Sequence, residues 1–444
     1  MRTSFRSRGP IRGEFSAPAS KPQTQRALIM GSMADGLTTI HRPLMAHETL
    51  TMIEACRSLG AEVSMLDDQL TIRGIGPEFS RKAAGPRAGT RYIWASGSAL
   101  VARLFMSIGS AYPEDVVVDG KCNLRARPFS PLIAELRQKS VEFRFFDVLD
   151  KLPYVAVSTS LPGGHYRLRT DVSSQFATSL LVSAPLAATP VTVELVGPSY
   201  SISYLRQTAE LMGHFGVPVE AEDDMRQISV SNEKSYQARE IELTGDYTSA
   251  SYILGAALVT RGLIRLDNLD PGSLQGECSI IDILMELGAD VKWVQGANAL
   301  LIDCTSRRSS VDAIFDVSDC PNILPTVAAI AATLDGRVRI TGGRLTQYHK
   351  SPRIDAIAAQ LARGGVSVQT LKSKDGFVDG LEIRGKERYE GGVLFPAHED
   401  HRIVMATVLF TLACNRACAF DGVVDTADSF PGFAECLGLE VSST

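Results

Sequence analysis

The chain has 444 residues, 45% hydrophobic and 21% charged, with a formal net charge of −5 at pH 7. That is the composition of a globular protein, and the slight acidity argues against non-specific nucleic-acid binding. Eight scattered cysteines without a C-x-x-C pair argue against a zinc site or a disulfide framework, and for thiols in a reducing cytosol.

The first residues, MRTSFRSRGPIRGEF, are basic but lack an apolar core, so no secretion signal is expected and the cytoplasm is. From Gln25, QRALIMGSMADGLTTI is apolar nearly all round and predicts a buried helix running on into a strand. From Glu48, ETLTMIEACRSLGAEV is amphipathic and stops at Gly60, which predicts a surface helix and then a strand. The alternation repeats. Buried helices are expected from Ser98, Ser173, Thr248, Cys320 and Asp400. Surface helices are expected from Pro128, Tyr204, Cys278, Arg353 and Phe430. Gly216, Gly288, Gly364 and Gly438 stand where a left-handed C-cap belongs, and Ser140 stands there in the second copy. Cys414 and Cys418 are expected on the last buried helix.

The period of about 75 residues makes six copies of a strand, buried helix, strand, surface helix and one or two further strands. Six such α/β units exceed one ordinary core, so two domains of three units each are expected. The buried helices are too short and too interrupted to span a membrane. Neither G-x-G-x-x-G nor a P-loop occurs, which argues against a dinucleotide site or an NTPase.

Polar residues gather where the buried helices begin. They are Lys21 and Arg26; Ser96, Gly97 and Ser98; Ser173, Ser174 and Gln175; Thr248 and Ser249; Asn322; His401 and Arg402. Each set alone reads as ordinary N-capping. Six together read as a convergent phosphate or carboxylate site, because helix N-termini offer free N–H groups and a positive dipole end.

These residues carry a family resemblance. The segments SKPQTQRAL, SGSA, LRARP, VSSQFATSLLVSAPLA, GDYTSASYILGAALV, SLQG, CPNILPTVAAIAA, HKSPRI, DHRIVMA and DTADSFPGF resemble, in order and spacing, the EPSP synthases of the enolpyruvyltransferase family. The resemblance implies two inside-out α/β domains, each of three βαβαββ-type repeats, with an active-site cleft between them. One domain would span 20–239 and the other 1–19 plus 240–444, with hinges near 19–20 and 239–240. It also implies transfer of the carboxyvinyl group of phosphoenolpyruvate to the 5-hydroxyl of shikimate 3-phosphate, with no metal or cofactor. Small-molecule substrates are the only partners expected, and a monomer is expected.

By the same resemblance, Lys21, Gly97, Arg127, Gln175, Arg353, His401 and Arg402 lie on the phosphoenolpyruvate side. Arg26, Ser173, Ser174, Gln175, Ser201 and Tyr204 hold the ring-bearing substrate. Guanidinium forks and hydroxyls at helix ends suit two oxyanions.

The departures fall on the proton-transfer groups. Asn322 replaces the family's aspartate, His349-Lys350 its Lys-Glu pair, Asp428 the lysine of its last motif, and His47-Glu48 its first acidic pair. An amide cannot accept a hydroxyl proton as a carboxylate does, and Asp428 beside a phosphate would repel it. A retained binding shell around altered chemistry favours an elimination from a shikimate-type ring, in secondary metabolism, with Lys350 or His349 as base. Two alternatives stand beside it. One is a synthase in which Glu48, His401 or Lys21 moves the protons; the other is a binding protein for a shikimate metabolite.

Overall fold

A computed structural model describes residues 2–6, 9–79, 89–422 and 425–443. The chain divides into two compact units, Ser20–Leu243 and Met1–Ala19 with Thr244–Thr444, and each has its own hydrophobic core. The second boundary falls after Leu243, later than the 239–240 expected from sequence. The cause is the strand Glu240–Glu242, which pairs in parallel with Leu37–His41 and so belongs to the Ser20–Leu243 unit.

Within Ser20–Leu243 the same four-stranded sheet is built three times. The strands run in the order Glu240–Glu242, Leu37–His41, Gln69–Arg73, Glu62–Leu66; then Thr90–Trp94, Asp115–Asp119, Tyr154–Ala156, Phe143–Phe145; then Gly164–Leu168, Val191–Leu195, Gln227–Val230, Val219–Ala221. In each sheet the first pair is parallel and the other two pairings are antiparallel.

The second unit repeats the pattern. Its sheets are Arg12–Ser16, Leu263–Asp267, Ala299–Asp303, Asp290–Trp293; Ser310–Asp316, Asp335–Thr341, Val378–Gly385, Ser367–Lys372; and Leu394–Pro396, Ala419–Asp421, Arg2–Arg6, Glu440–Ser443. In the last sheet the chain's first strand closes the final repeat. Ser310–Asp316 shows the mechanism of packing: Val311, Ala313 and Phe315 point inward while their neighbours face water.

The buried helices form the centre of each unit. Lys21–Met33, Ala99–Ala111 and Gln175–Ser183 serve one, and Tyr247–Thr260, Leu324–Ala332 and His401–Thr411 the other. Every residue of Ala99–Ala111 is buried, as a helix without a polar face requires. In the second unit the three helices approach closely at Gly255, where a Cβ would lie 3.0 Å from Ile330 Cδ1 and 3.1 Å from Leu409 Cδ1. Among the described residues no helix is long and apolar enough to cross a membrane.

Surface helices end as the pattern predicted, with positive φ at Gly60, Gly216, Gly288 and Gly438. Ser140 adopts φ 65°, so a side chain occupies the position that glycine takes in the other copies. In the fifth copy the left-handed residue is Gly365, while Gly364 remains helical. The cysteine expectation is also corrected. The last buried helix ends at Thr411, Cys414 opens the strand Cys414–Arg416, and Cys418 precedes Ala419–Asp421.

Candidate functional site

In Ser20–Leu243 the three helix starts are tied together by side chains. Ser20 caps the first helix, and Lys21, at its first turn, places Nζ 2.8 Å from Glu48 Oε2, both side chains largely buried. Gln25 reaches the backbone oxygen of Glu48 at 3.0 Å and the cap hydroxyl of Ser98 at 3.5 Å. Ser98 in turn accepts from the N–H of Val101, following Ser96 and Gly97. Arg26 is 2% exposed, with Nε donating to Thr208 Oγ1 at 2.8 Å and Nη1 to Pro22 O at 3.1 Å. The ring of Tyr204 lies 5.9 Å from its guanidinium, and the N–H of Tyr204 donates to Ser201 O. Burial pushes Arg26 down to about 10, with only the tyrosine acting to raise it.

The third start is organised by a residue that the motifs did not single out. Arg103 Nη1 donates to Ser173 Oγ at 2.8 Å and to Gln175 Oε1 at 2.9 Å. Ser174, 5% exposed, precedes the helix. Arg127 is 9% exposed, and its charge together with burial lowers Arg103 to about 9, burial being the larger cause.

In the second unit a network of charges surrounds Arg353 at the start of Arg353–Arg363. Its Nε is 2.8 Å from Asp400 Oδ2, and Nη1 donates to Asn322 Oδ1 and to His349 Nδ1, each at 2.9 Å. Asp400 caps His401–Thr411 through the N–H of Arg402 and accepts from Ser351 Oγ. Burial alone would raise the Asp400 carboxyl, yet Arg353, His401 and Lys350 hold it well below the usual range. Asn322 turns its amide nitrogen to Glu277 Oε1 at 3.2 Å, and Glu277 is 1% exposed. Lys350 Nζ lies 2.5 Å from Asp428 Oδ2, and His401 Nδ1 is 3.7 Å from the same oxygen.

These contacts bear on three expectations. Lys350, expected as a base, is engaged in an ion pair. Asp428, expected to repel an anion, is faced by Lys350 and approached by His401, so its charge is answered within its own unit. His349, the other expected base, accepts at Nδ1 from a guanidinium, which leaves the proton of a neutral ring on Nε2. The sequence reading missed Arg103, Thr208, Glu277 and Asp400 as members of the site. Arg103 did carry a signal, as the lone charge in an apolar helix. So did Asp400, a cap residue directly before one. Nothing local marks Thr208 or Glu277.

Comparison with known proteins agrees with this architecture. A model of the family described as EPSP synthase (3-phosphoshikimate 1-carboxyvinyltransferase) matches residues 5–437. The chain is 34% identical over 427 residues to a 3-phosphoshikimate 1-carboxyvinyltransferase of Methanothermobacter thermautotrophicus, covering 96% of this chain and 95% of the relative. It is 32% identical to the protein of that name from Methanoculleus marisnigri, covering 97% of each. A solved EPSP synthase from Acinetobacter baumannii superposes with a TM-score of 0.79 at 22% identity, over 100% of this chain and 99% of that one. The last likeness establishes the fold.

Proposed function

Because the chain belongs to the EPSP synthase family, we propose that it transfers the carboxyvinyl group of phosphoenolpyruvate to the 5-hydroxyl of shikimate 3-phosphate, with release of phosphate. The observation that carries this reading is the match along 96% of the chain to a relative that bears that activity in its name. Two sets of anion-binding groups support it. Arg26 and the Arg103–Ser173–Gln175 cluster stand in one unit, and His401 and Arg402 at a capped helix start stand in the other.

The reaction needs a proton taken from the ring hydroxyl, a proton given to the methylene carbon, and stabilisation of the departing phosphate. Glu48, joined to Lys21, is the exchanger in the first unit. In the second, Asn322 takes no proton itself but is bonded to the carboxylate of Glu277.

The elimination reading rested on Asn322, His349, Lys350 and Asp428 together, with Lys350 and Asp428 taken one at a time. Paired with each other they are a Glu and a Lys of the family with their signs exchanged, and the net charge of the two positions is unchanged. That favours the transferase.

The test is incubation with shikimate 3-phosphate, with and without phosphoenolpyruvate, following product mass and released phosphate. The expected product is the enolpyruvyl ether, with one phosphate released per ether, formed only when both substrates are present. Loss of water or phosphate from the ring compound alone would overturn the proposal in favour of elimination.

A further inference from the structure

Arg103 carries a charge inside an otherwise apolar helix. It lies in the middle of Ala99–Ala111 and is 4% exposed. Its guanidinium sits 4.8 Å from the ring of Phe176 and 5.8 Å from that of Phe129, and its Nε is buried without a hydrogen-bond partner. Among the described residues no carboxylate pairs with it. Its contacts are Ser173 Oγ, Gln175 Oε1 and, at 3.4 Å, Pro128 O. A buried cation in this state costs stability, so a purely structural role would be better served by an apolar side chain.

The pattern of donors and acceptors shows what the charge does. A guanidinium has only donors, so the oxygen of Gln175 must face it and the amide NH2 must face away. Ser173 Oγ accepts from Arg103 and also from the N–H of Gln175, at 3.2 Å. With both lone pairs used, its own hydrogen is turned outward, and no described residue accepts it. Gln175 opens a nine-residue helix whose first N–H groups lie at the same place. The outward face is thus made of donors, next to a second buried cation, Arg127.

We propose that Arg103 is a positioning residue. By occupying one lone pair of Ser173, whose other lone pair takes the N–H of Gln175, and by drawing the side-chain oxygen of Gln175 to itself, it turns their hydrogens toward a bound oxyanion, and its uncompensated charge strengthens that site. The inference rests on the proposed function in taking the oxyanion to be a phosphate or carboxylate of the ring substrate. Arg103 does not touch the ligand; it selects anions over neutral groups through the two residues that do.

The test compares the wild type with Arg103→Met and Arg103→Lys. Calorimetry measures affinity for shikimate 3-phosphate and for shikimate, and thermal melts are run without ligand and with inorganic phosphate. For Arg103→Met the expected result is a loss of affinity of about tenfold or more, the scale of charge-assisted hydrogen bonds. Its melting temperature without ligand should equal or exceed that of the wild type, and the rise that phosphate produces in the wild type should be absent.

Opposite movement of stability and affinity is what a packing role would not produce. Affinity within about twofold of wild type, or stability and affinity falling together, overturns the inference. If Arg103→Met does not fold, Arg103→Lys decides. It keeps the charge and loses the fork, so weaker binding at an unchanged melting temperature is expected, and wild-type affinity overturns the inference. Loss for shikimate 3-phosphate but not for shikimate identifies the phosphate as the oxyanion, and equal loss for both identifies the carboxylate. If the wild type ignores shikimate 3-phosphate yet shows an Arg103-dependent response to phosphate, the proposed substrate is wrong and the positioning role stands. No response to either ligand overturns both.

Discussion

Lys350 and Asp428 provide the sharpest test of the site, because their exchange can be undone. At a charge separation of about 4 Å and an effective dielectric of about 20, one such pair is worth roughly 4 kcal/mol of attraction. Asp428 is 24% exposed and Lys350 7%, so partial screening reduces this to about 2 kcal/mol. Lys350→Glu alone places two carboxylates together, and Asp428→Lys alone places two ammonium groups together. Each replaces attraction by repulsion, for an expected loss of roughly 2–4 kcal/mol. The double variant restores opposite charges in the order the family uses. It should recover most of that loss, with a coupling energy of at least about 2 kcal/mol, well above the scatter of independent sites. Urea melts of the four proteins measure the stability coupling, and rates of enolpyruvyl ether formation measure the functional one. The double variant should work at least as well as the wild type. Effects that add within about 0.5 kcal/mol would show that the two residues act separately and that neither compensates for the other.

Three further outcomes follow from the same contacts. Arg26→Ala should weaken shikimate 3-phosphate binding by roughly 2–5 kcal/mol if a buried oxyanion faces it, measured by calorimetry. Asp400 is held well below 3.8 in the folded protein, so the stability it contributes is present above the ordinary carboxylate pKa and is lost as pH falls through the folded value. Asp400→Asn should therefore destabilise the protein at neutral pH and flatten the acid side of its stability profile, read from melts across pH. Exposed Cys122 and Cys278 should react first with a thiol reagent. Buried Cys56, Cys304 and Cys320, pushed up to about 12, should react only on unfolding.

Sequence by itself determined what depends on local pattern. The six copies, the all-apolar helices and the left-handed ends of the surface helices were legible because hydrophobic spacing and caps act within a few residues. The arginines and serines of the helix starts were legible for the same reason, helped by motif order. What tertiary structure decided were the partners. Arg103 meets Ser173 from 70 residues away, Asn322 meets Glu277 across 45, and Lys350 meets Asp428 across 78. Read singly, Lys350 and Asp428 each look like lost chemistry, and only their contact shows one exchanged pair. The closing strands are the same case, since Arg2–Arg6 completes a sheet with Ala419–Asp421 and Glu440–Ser443. Charge and strand pairings of this kind depend on distances in space, and the packing of the buried helices and sheets sets those distances independently of separation along the chain.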